Sequence, residues 1–202
     1  LKAIWEPGSK IQRWSQIRQG WPNRPLRLYG AGADSGTFDY FTEAIVGKAK
    51  AIRTDYQPTE DDNVTIKGVA GDTYAMGFLG YAYYEENKDK VKAVAIDHGK
   101  GCVLPSRETV LDGTYQPLSR PLFIYVNVKS LDRPEVQAFV DFYLSPAARR
   151  AIRSTGYVEL PSEAYRIGQE LVKRRKAGTF FMELPAGTPL SKFIQELDKE
   201  LR

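Results

Sequence analysis

The sequence is poor in the residues that build metal centres and nucleophilic active sites. Its 202 residues include one cysteine, Cys102, and one histidine, His98. A single cysteine excludes an internal disulfide, and one histidine with one cysteine argues against a zinc site of the usual kind. A Ser-His-Asp triad needs a serine beside the histidine, and nothing in the spacing around His98 supports one. We therefore expect no catalytic residues, no metal site and no bound cofactor.

Long apolar runs are also missing. No stretch approaches the roughly 18 apolar residues that a membrane-spanning helix requires. The first residues, Leu-Lys-Ala-Ile-Trp-Glu-Pro-Gly, lack the pattern of a secretion signal. If the protein is exported, its signal has been removed or lies outside this chain. Apolar residues make up 42% of the sequence and charged residues 27%, which is typical of a globular protein.

Charge of one sign is not concentrated enough to predict a nucleic-acid partner. The formal net charge is +4, from 29 basic and 25 acidic residues. The dense basic run Lys173-Arg174-Arg175-Lys176 has no aromatic residues interleaved for base stacking. We interpret this run as the solvated face of a helix. The mild positive charge still helps to attract a small anion.

Apolar and polar segments alternate at lengths typical of α/β proteins. Predicted strands occupy residues 25–30, 91–96 and 120–127, and residues 77–84 indicate a strand that passes into a helix or turn. Predicted helices occupy residues 9–19, 35–47, 105–113, 134–144, 147–154, 162–176 and 190–201. This alternation predicts an α/β fold with a mixed, mostly parallel sheet flanked by helices.

The most informative element is a glycine-rich turn between a predicted strand and a predicted helix, Ala31-Gly32-Ala33-Asp34-Ser35-Gly36-Thr37. The first backbone amides of a helix have no intrahelical partners and lie at the positive end of the helix dipole. A phosphate or sulfate ion placed there accepts several hydrogen bonds. Gly36 lets the backbone approach the ion closely, and the hydroxyls of Ser35 and Thr37 can donate further bonds.

A plainer interpretation of the same turn stays open. Ser35 or Thr37 can serve as a helix N-cap while the glycines only form the turn. The turn is not a nucleotide P-loop, because no lysine follows its last glycine. It is not the dinucleotide fingerprint either, whose three glycines are spaced differently. An isolated tetrahedral anion therefore fits better than a nucleotide.

Asp34 is the unusual member of the turn, because a carboxylate repels a bound dianion. It becomes useful when the anion carries a proton, which the carboxylate can accept in a hydrogen bond. Phosphate at neutral pH carries such a proton and sulfate does not, so Asp34 is a candidate selectivity filter. In the alternative interpretation, Asp34 caps the helix or faces solvent. Asp61 and Asp62 do not suggest a paired acid–base site, since adjacent residues lie on opposite sides of a regular element.

The sequence Asp-Ser-Gly-Thr-Phe-Asp-Tyr-Phe-Thr-Glu at 34–43 resembles the phosphate-binding loop and helix of the substrate-binding proteins of phosphate ABC transporters. The cyanobacterial-type branch is the most similar. Further segments match in order: Ile-Trp-Glu-Pro-Gly at 4–8, Gly-Phe-Leu-Gly-Tyr-Ala-Tyr at 77–83, Ser-Arg-Pro-Leu-Phe-Ile-Tyr-Val at 119–126, and Gly-Tyr-Val-Glu-Leu-Pro at 156–161. The resemblance covers nearly the whole chain.

The resemblance implies a type II periplasmic-binding-protein-like fold with two lobes and a hinge. Such a protein captures inorganic phosphate between its lobes and delivers it to a membrane permease, in the periplasm or at the cell surface. Ser35, Gly36 and Thr37 would bind the phosphate directly, with Asp34 beside them, and no reaction would be catalysed. The alternatives are a binding protein for another tetrahedral oxyanion such as sulfate, a phosphate-ester enzyme that uses the same loop, and a phosphate sensor.

Two departures from the family pattern bear on the site. Many members have an arginine four residues before the serine and an acid two residues before it, whereas this sequence has Ala31 and Ala33. Members also carry roughly one further lobe of sequence ahead of the segment that contains Trp5. We therefore expect the chain to be a fragment that lacks the N-terminal lobe segment, which holds the other half of the phosphate shell.

The same interpretation predicts the organisation of the chain. Residues 1–118 would form the second lobe, 119–165 the returning segment of the first lobe, and 166–202 a C-terminal helical extension. A chain with only part of the first lobe's sheet should expose apolar strand surface, which we expect at Leu122, Ile124 and Val126.

Overall fold

Three short parallel strands organise the first part of the chain. The computed structural model describes residues 1–179 and 184–202. The strands are β1 (Arg27–Ala31), β2 (Gln57–Thr59) and β3 (Ala75–Phe78). Their order is β2–β1–β3 and both pairs are parallel, so Gly30 lies opposite Pro58 on one side and Phe78 on the other. The carboxyl ends of the three strands therefore meet at one edge of the sheet.

Helices accompany this sheet within Leu1–Val94, the first of two compact units into which the chain divides. They are α1 (Lys2–Trp5), α2 (Gly36–Phe41), α3 (Asp62–Ala70) and α4 (Tyr81–Glu86). A single π-helical turn, Thr42–Val46, continues α2 to Gly47, whose positive φ of 92° ends the helix. Ser35 is the N-cap of α2, so the helix predicted between Ser35 and Gly47 is confirmed.

The core of this unit is a cluster of aromatic rings against the central strand. Trp5 is 1% exposed, and its ring meets Phe41 and Phe78 edge-on, with centroids 5.5 and 5.1 Å away. Phe41 and Phe78 are stacked at 4.0 Å. A Cβ on Gly30 would lie 2.3 Å from the ring of Phe78, so a glycine in β1 is what lets this stack approach the strand. Such ring pairs add to the stabilisation that comes from area burial alone.

A buried arginine ties the N-terminal segment to this core. Arg53 is 3% exposed and makes two hydrogen bonds to the carboxylate of Asp55, at 2.6 and 2.8 Å. It also donates to the carbonyls of Ile4 and Ile11, at 2.9 and 2.8 Å. The facing guanidinium holds the pKa of Asp55 well below its usual range, because the hydrogen bonds favour the charged carboxylate. The ion pair is thus an internal anchor for the segment that carries Trp5.

The amphipathic helix predicted at residues 9–19 is wrong. These residues lead instead into a loop, residues 12–26, whose ends are joined by a backbone hydrogen bond of 2.8 Å. Within it, only Trp14–Gln16 forms a helical turn, of the 3-10 type. The indole N–H of Trp14 donates to the carbonyl of Tyr74 at 2.9 Å. A contact distant in sequence therefore overrides the local helical pattern.

The second compact unit, Ala95–Arg202, is mainly helical in its described part. Its elements are β4 (Ile96–Asp97), β5 (Cys102–Val103), α5 (Arg107–Leu111), α6 (Pro134–Tyr143), α7 (Pro146–Ser154), α8 (Ser162–Lys173) and α9 (Leu190–Lys199). The helices predicted between residues 105 and 201 are confirmed, whereas the strand predicted at 91–96 is reduced to β4. Among the described helices, none combines the length and apolarity that a membrane crossing requires.

The β-prone run at residues 120–127 forms no strand in the described chain. Leu122 and Ile124 are 56% and 40% exposed, as predicted, and Val126 is half-buried. The composition of the run favours a strand, but none of its residues is assigned to one. Leu122 and Ile124 leave apolar surface exposed.

The parallel sheet flanked by helices confirms the predicted α/β class. The contacts divide the chain between Val94 and Ala95, while the lobe boundaries at residues 118 and 165 stay predictions. Residues 180–183 of the predicted C-terminal extension lie outside the described residues.

A buried glutamate organises the helical unit electrostatically. Glu159 is 8% exposed and accepts hydrogen bonds from the guanidiniums of Arg107 and Arg153, the latter at 3.0 Å. The hydrogen bond from Arg107 is the main cause that lowers the pKa of Glu159 from 4.5 to about 2. One carboxylate thus joins α5, α7 and the segment that precedes α8.

Replacing the Glu159 carboxylate should lower the free energy of unfolding at neutral pH and make it depend less on pH. A lowered pKa stabilises the fold above pH 4.5, and that stabilisation is lost as the pH falls towards 2. Because Arg107 is half-exposed and solvent screens it, we expect Glu159→Gln to cost about 1–2 kcal/mol at neutral pH. Urea unfolding measured between pH 7 and pH 2.5 should show a flatter pH dependence for the variant.

Glu135→Gln is the matched control, because Glu135 pairs with Arg133 while both side chains are exposed. It should leave the unfolding midpoint nearly unchanged. An equal loss of stability in the two variants would contradict the special role of Glu159.

Candidate anion-binding site

The glycine-rich turn at residues 31–37 lies at the carboxyl edge of the sheet, where β1 leads into α2. The chain places β2 on one side of β1 and β3 on the other. Open α/β sheets bind ligands outside the carboxyl ends of their strands, at the point where the strand order switches sides. The turn is therefore at the position where this class of sheet binds small molecules.

Ser35 closes the start of α2. Its Oγ accepts a hydrogen bond from the amide of Thr37 at 3.1 Å, and its own amide donates to the carbonyl of Gly32 at 3.1 Å. The N-cap interpretation of Ser35 is therefore correct. It does not remove Ser35 from a binding role, because a hydroxyl that accepts one hydrogen bond still has a proton to donate.

Three hydrogen-bond donors at the start of α2 have no acceptor among the residues that the structure describes. They are the backbone amides of Gly36 and Phe38 and the hydroxyl of Thr37. Gly36 is exposed and Thr37 half-buried, so these two residues can be reached from solvent, whereas Phe38 is 4% exposed. Together with the positive end of the helix dipole, they form a cradle that suits an oxyanion.

Strand β2 holds the turn in place. The hydroxyl of Tyr56 donates to the carbonyl of Ala31 at 3.0 Å, and the amide of Gly32 donates to the carbonyl of Thr59 at 3.0 Å. Neutral hydrogen bonds thus support a turn in which Ala31 and Ala33 stand where the family resemblance predicted a charge pair. Arg27 does not supply the missing positive charge, because it lies at the other end of β1 and pairs with Asp72 at 2.8 Å.

Glu60 is a residue at the turn that the sequence did not single out. Its Oε1 accepts a hydrogen bond from the amide of Asp34 at 3.4 Å. A Cβ on Gly32 would lie 2.0 Å from the same oxygen, so the second glycine of the turn makes room for this carboxylate. Residues 32 and 60 meet only because β1 and β2 pair, and the acidic sequence Glu-Asp-Asp at 60–62 was the one available hint.

Asp34 itself is exposed, and its carboxylate makes no hydrogen bond or ion pair to any described residue. The adjoining corner is acidic: Glu60 and Asp61 are exposed and Asp62 is half-buried. Burial raises the pKa of Asp62, and the charges of Asp61 and Glu60 raise it further. Burial and the charge of Glu60 likewise raise the pKa of Tyr56. An anion that enters the turn therefore meets unpartnered donors beside a group of carboxylates.

The single histidine and the single cysteine belong to the second compact unit. His98 and Cys102 are both exposed, on or near the hairpin of β4 and β5. Across residues 1–179 and 184–202, no group of histidine, cysteine and acidic side chains could hold a metal ion. Within the first compact unit, the structure brings the turn of Asp34, Ser35, Gly36 and Thr37 together with Glu60.

The first part of the chain matches a known domain family. A model of the PBP superfamily domain matches residues 1–147. The chain is 50% identical to Protein SphX of Synechocystis sp. over 200 residues, which are 95% of this chain and 59% of that protein. It is 34% identical to the phosphate-binding protein PstS of Staphylococcus haemolyticus over 168 residues, 82% of this chain and 51% of that protein. The chain thus spans less than two thirds of the length of either relative.

Solved structures lead to the same family. A possible phosphate binding protein from Planctomyces limnophilus has a TM-score of 0.72 at 43% identity, over 87% of this chain and 63% of that one. A Clostridium perfringens protein, described provisionally as a phosphate ABC transporter substrate-binding protein, holds bound phosphate. It has a TM-score of 0.63 at 25% identity, over 75% of this chain and 58% of that one. With its parallel sheet, its helix-capping turn and a domain match over residues 1–147 of 202, the chain belongs to the PBP superfamily.

Proposed function

We propose that this chain carries part of the inorganic-phosphate site of the substrate-binding component of an ABC transporter. The observation that supports this most strongly is the set of unpartnered donors at Gly36, Thr37 and Phe38, at the carboxyl edge of the sheet. The name of the PstS relative and the phosphate in the Clostridium perfringens structure support the choice of ion. The whole protein would work in the periplasm or at the cell surface and pass phosphate to a membrane permease.

Binding would consist of hydrogen bonds and charge, with no bond made or broken. Phosphate oxygens would accept from the amides of Gly36 and Phe38 and from the hydroxyls of Thr37 and Ser35. No group of histidine, cysteine and acidic side chains that could hold a metal ion is found among the described residues, which removes one way in which a phosphate-ester enzyme would activate its substrate. We therefore assign a binding role and no catalytic one.

The donors on this chain form only one side of a site. The curated relatives are longer than the chain, which spans 59% of SphX and 51% of PstS. We infer that the rest of the phosphate shell lies on a lobe outside these 202 residues. In that scheme residues 1–118 belong to the second lobe, 119–165 return to the first, and 166–202 form an extension.

The carboxylates at the turn would select phosphate over sulfate. Glu60, Asp61 and Asp62 repel any dianion placed at the start of α2. A phosphate that keeps one proton can donate it to a carboxylate and recover part of that cost, whereas sulfate cannot. Both side chains are exposed, but Glu60 is better placed than Asp34 for this role, because its oxygen already accepts a hydrogen bond from the turn while the Asp34 carboxylate makes none to a described residue.

Phosphate should therefore bind at the start of α2 and not at helix starts in general. We expect amide resonances of Gly36, Thr37 and Phe38 to shift on titration with phosphate, with an affinity in roughly the millimolar range, because half of a shell binds weakly. Two-dimensional NMR of the labelled chain measures this directly. The start of α7, where Ser145 caps Ala148 at 3.3 Å, is an internal control and should not respond.

Removing one donor should weaken this response without moving it. Thr37→Val keeps the shape of the side chain and removes its hydroxyl, so we expect affinity to fall about fivefold. Equal shifts at α2 and α7 would mean unspecific attraction to helix dipoles, and an absence of shifts at α2 would overturn the proposal.

Two variants that each remove one negative charge test the selectivity. We expect Glu60→Gln to reduce the preference for phosphate over sulfate by about tenfold, because the acceptor for the phosphate proton is lost. Asp34→Asn should change the ratio little, since the Asp34 carboxylate makes no hydrogen bond to a described residue of the turn. Titrations with both anions measure the ratio. The opposite ranking would return the filter role to Asp34, as the sequence alone suggested.

The exposed apolar segment offers a test of the missing lobe. Because Leu122 and Ile124 are exposed, Leu122→Ser with Ile124→Ser should leave the free energy of unfolding within about 0.5 kcal/mol. The same double variant should reduce self-association of the chain in sedimentation, because exposed apolar patches associate with one another. Leu131→Ser is the control for a buried position, as Leu131 is 7% exposed, and should cost about 2–4 kcal/mol. A similar cost for the double variant would show that the segment is packed within this chain.

A further inference from the structure

A stretch of 27 residues near the start of the chain carries positive charge only. Residues 7–33 contain Lys10, Arg13, Arg18, Arg24 and Arg27 and no aspartate or glutamate. The whole chain has 29 basic and 25 acidic residues, so elsewhere the two signs are nearly balanced. Three of these cations, Arg13, Arg18 and Arg24, lie within the 12–26 loop.

The 12–26 loop is built as a fixed platform. The amide of Leu26 donates to the carbonyl of Gln12 at 2.8 Å, and the amide of Trp14 donates to the carbonyl of Arg24 at 3.1 Å. The indole hydrogen bond from Trp14 to Tyr74 anchors the loop beside β3. Its side chains are therefore held in a defined arrangement.

Aromatic rings and guanidiniums are interleaved on this loop. The rings of Trp14 and Trp21 lie 5.5 Å apart. The guanidinium of Arg18 lies 5.0 Å from the ring centre of Trp21, and that of Arg24 lies 5.6 Å from the ring centre of Tyr74. Trp21 is 37% exposed. We call the residues Arg13, Trp14, Arg18, Trp21 and Arg24 the basic–aromatic surface.

The acidic groups near this surface are already engaged. Asp55 accepts from Arg53 and from the side chain of Gln12, at 2.8 Å for the latter. Asp72 pairs with Arg27 at 2.8 Å. Within the described part of the chain, Arg13, Arg18 and Arg24 have no carboxylate partner. Their charges are therefore available to an external acidic surface.

The basic–aromatic surface is separate from the candidate anion site. It precedes β1, and its contact with Tyr74 precedes β3, so it lies at the amino edge of the sheet. The turn at residues 31–37 lies at the carboxyl edge. The five residues of β1 separate the two by about 17 Å along the strand.

We propose that the basic–aromatic surface binds the anionic phospholipid surface of a membrane. Indole rings favour the membrane–water interface, and clustered arginines are attracted to anionic head groups. A single-stranded nucleic acid fits less well, because Arg18 and Arg24 lie over ring faces on which bases would stack. The proposed contact is peripheral and salt-sensitive, and it does not depend on the assignment of the phosphate site.

Vesicle binding tests the proposal. We expect the chain to sediment with phosphatidylglycerol-containing vesicles and not with pure phosphatidylcholine vesicles, and to be released as salt is raised. Arg18→Gln with Arg24→Gln should weaken binding about tenfold. Lipids brominated near the head group should quench the fluorescence of a chain in which Trp21 is intact more than that of Trp21→Phe.

The control removes the same number of charges elsewhere. Arg174 and Arg175 pair with Glu170 and Asp132, so Arg174→Gln with Arg175→Gln should leave vesicle binding nearly unchanged. Equal losses in the two double variants would overturn the proposal in favour of unspecific attraction. Binding to poly-glutamate or to single-stranded DNA without binding to anionic vesicles would overturn it as well, and would identify a protein or nucleic-acid partner.

Discussion

The geometry at the start of α2 depends on the parallel pairing of β1 with β2. That pairing brings the carbonyl of Thr59 to the amide of Gly32 and the hydroxyl of Tyr56 to the carbonyl of Ala31. Without β2 the turn would be held only by its own hydrogen bonds. Because strand register fixes these contacts, the sheet holds the turn that leads into α2. A phosphate site at the proposed position would therefore lose little conformational freedom on binding.

The same pairing marks the limit of what the sequence can predict. The start of α2 at Ser35 and its end at Gly47 follow from local rules for caps and left-handed glycines, and the structure has both. Glu60 could not be predicted as a neighbour of Gly32, since 27 residues separate the strands' facing ends and no local pattern specifies the register. Local sequence patterns therefore predicted the ends of α2 but not the contacts between segments that are distant in sequence.

Two wrong predictions have the same physical origin. Residues 9–19 have apolar residues at helical spacing, yet the hydrogen bond from Trp14 to Tyr74 and the closed 12–26 loop prevail. Residues 120–127 have β-prone composition, yet they form no strand in the described chain. In the first case tertiary contacts override local propensity, and in the second β-prone composition alone does not produce a strand. In each segment the local propensity favoured a helix or a strand, but the tertiary surroundings determined whether that element formed.

The two glycines on either side of Ala31 each let a different side chain approach the backbone closely. Gly30 admits the ring of Phe78, and Gly32 admits the carboxylate of Glu60. A side chain at the first position would push the aromatic stack away from β1 and loosen the core that supports the turn. A side chain at the second would move the carboxylate from the amide of Asp34 while leaving the core intact. The sequence Gly-Ala-Gly therefore separates the stability of the fold from the electrostatics of the turn, although the two positions are only two residues apart.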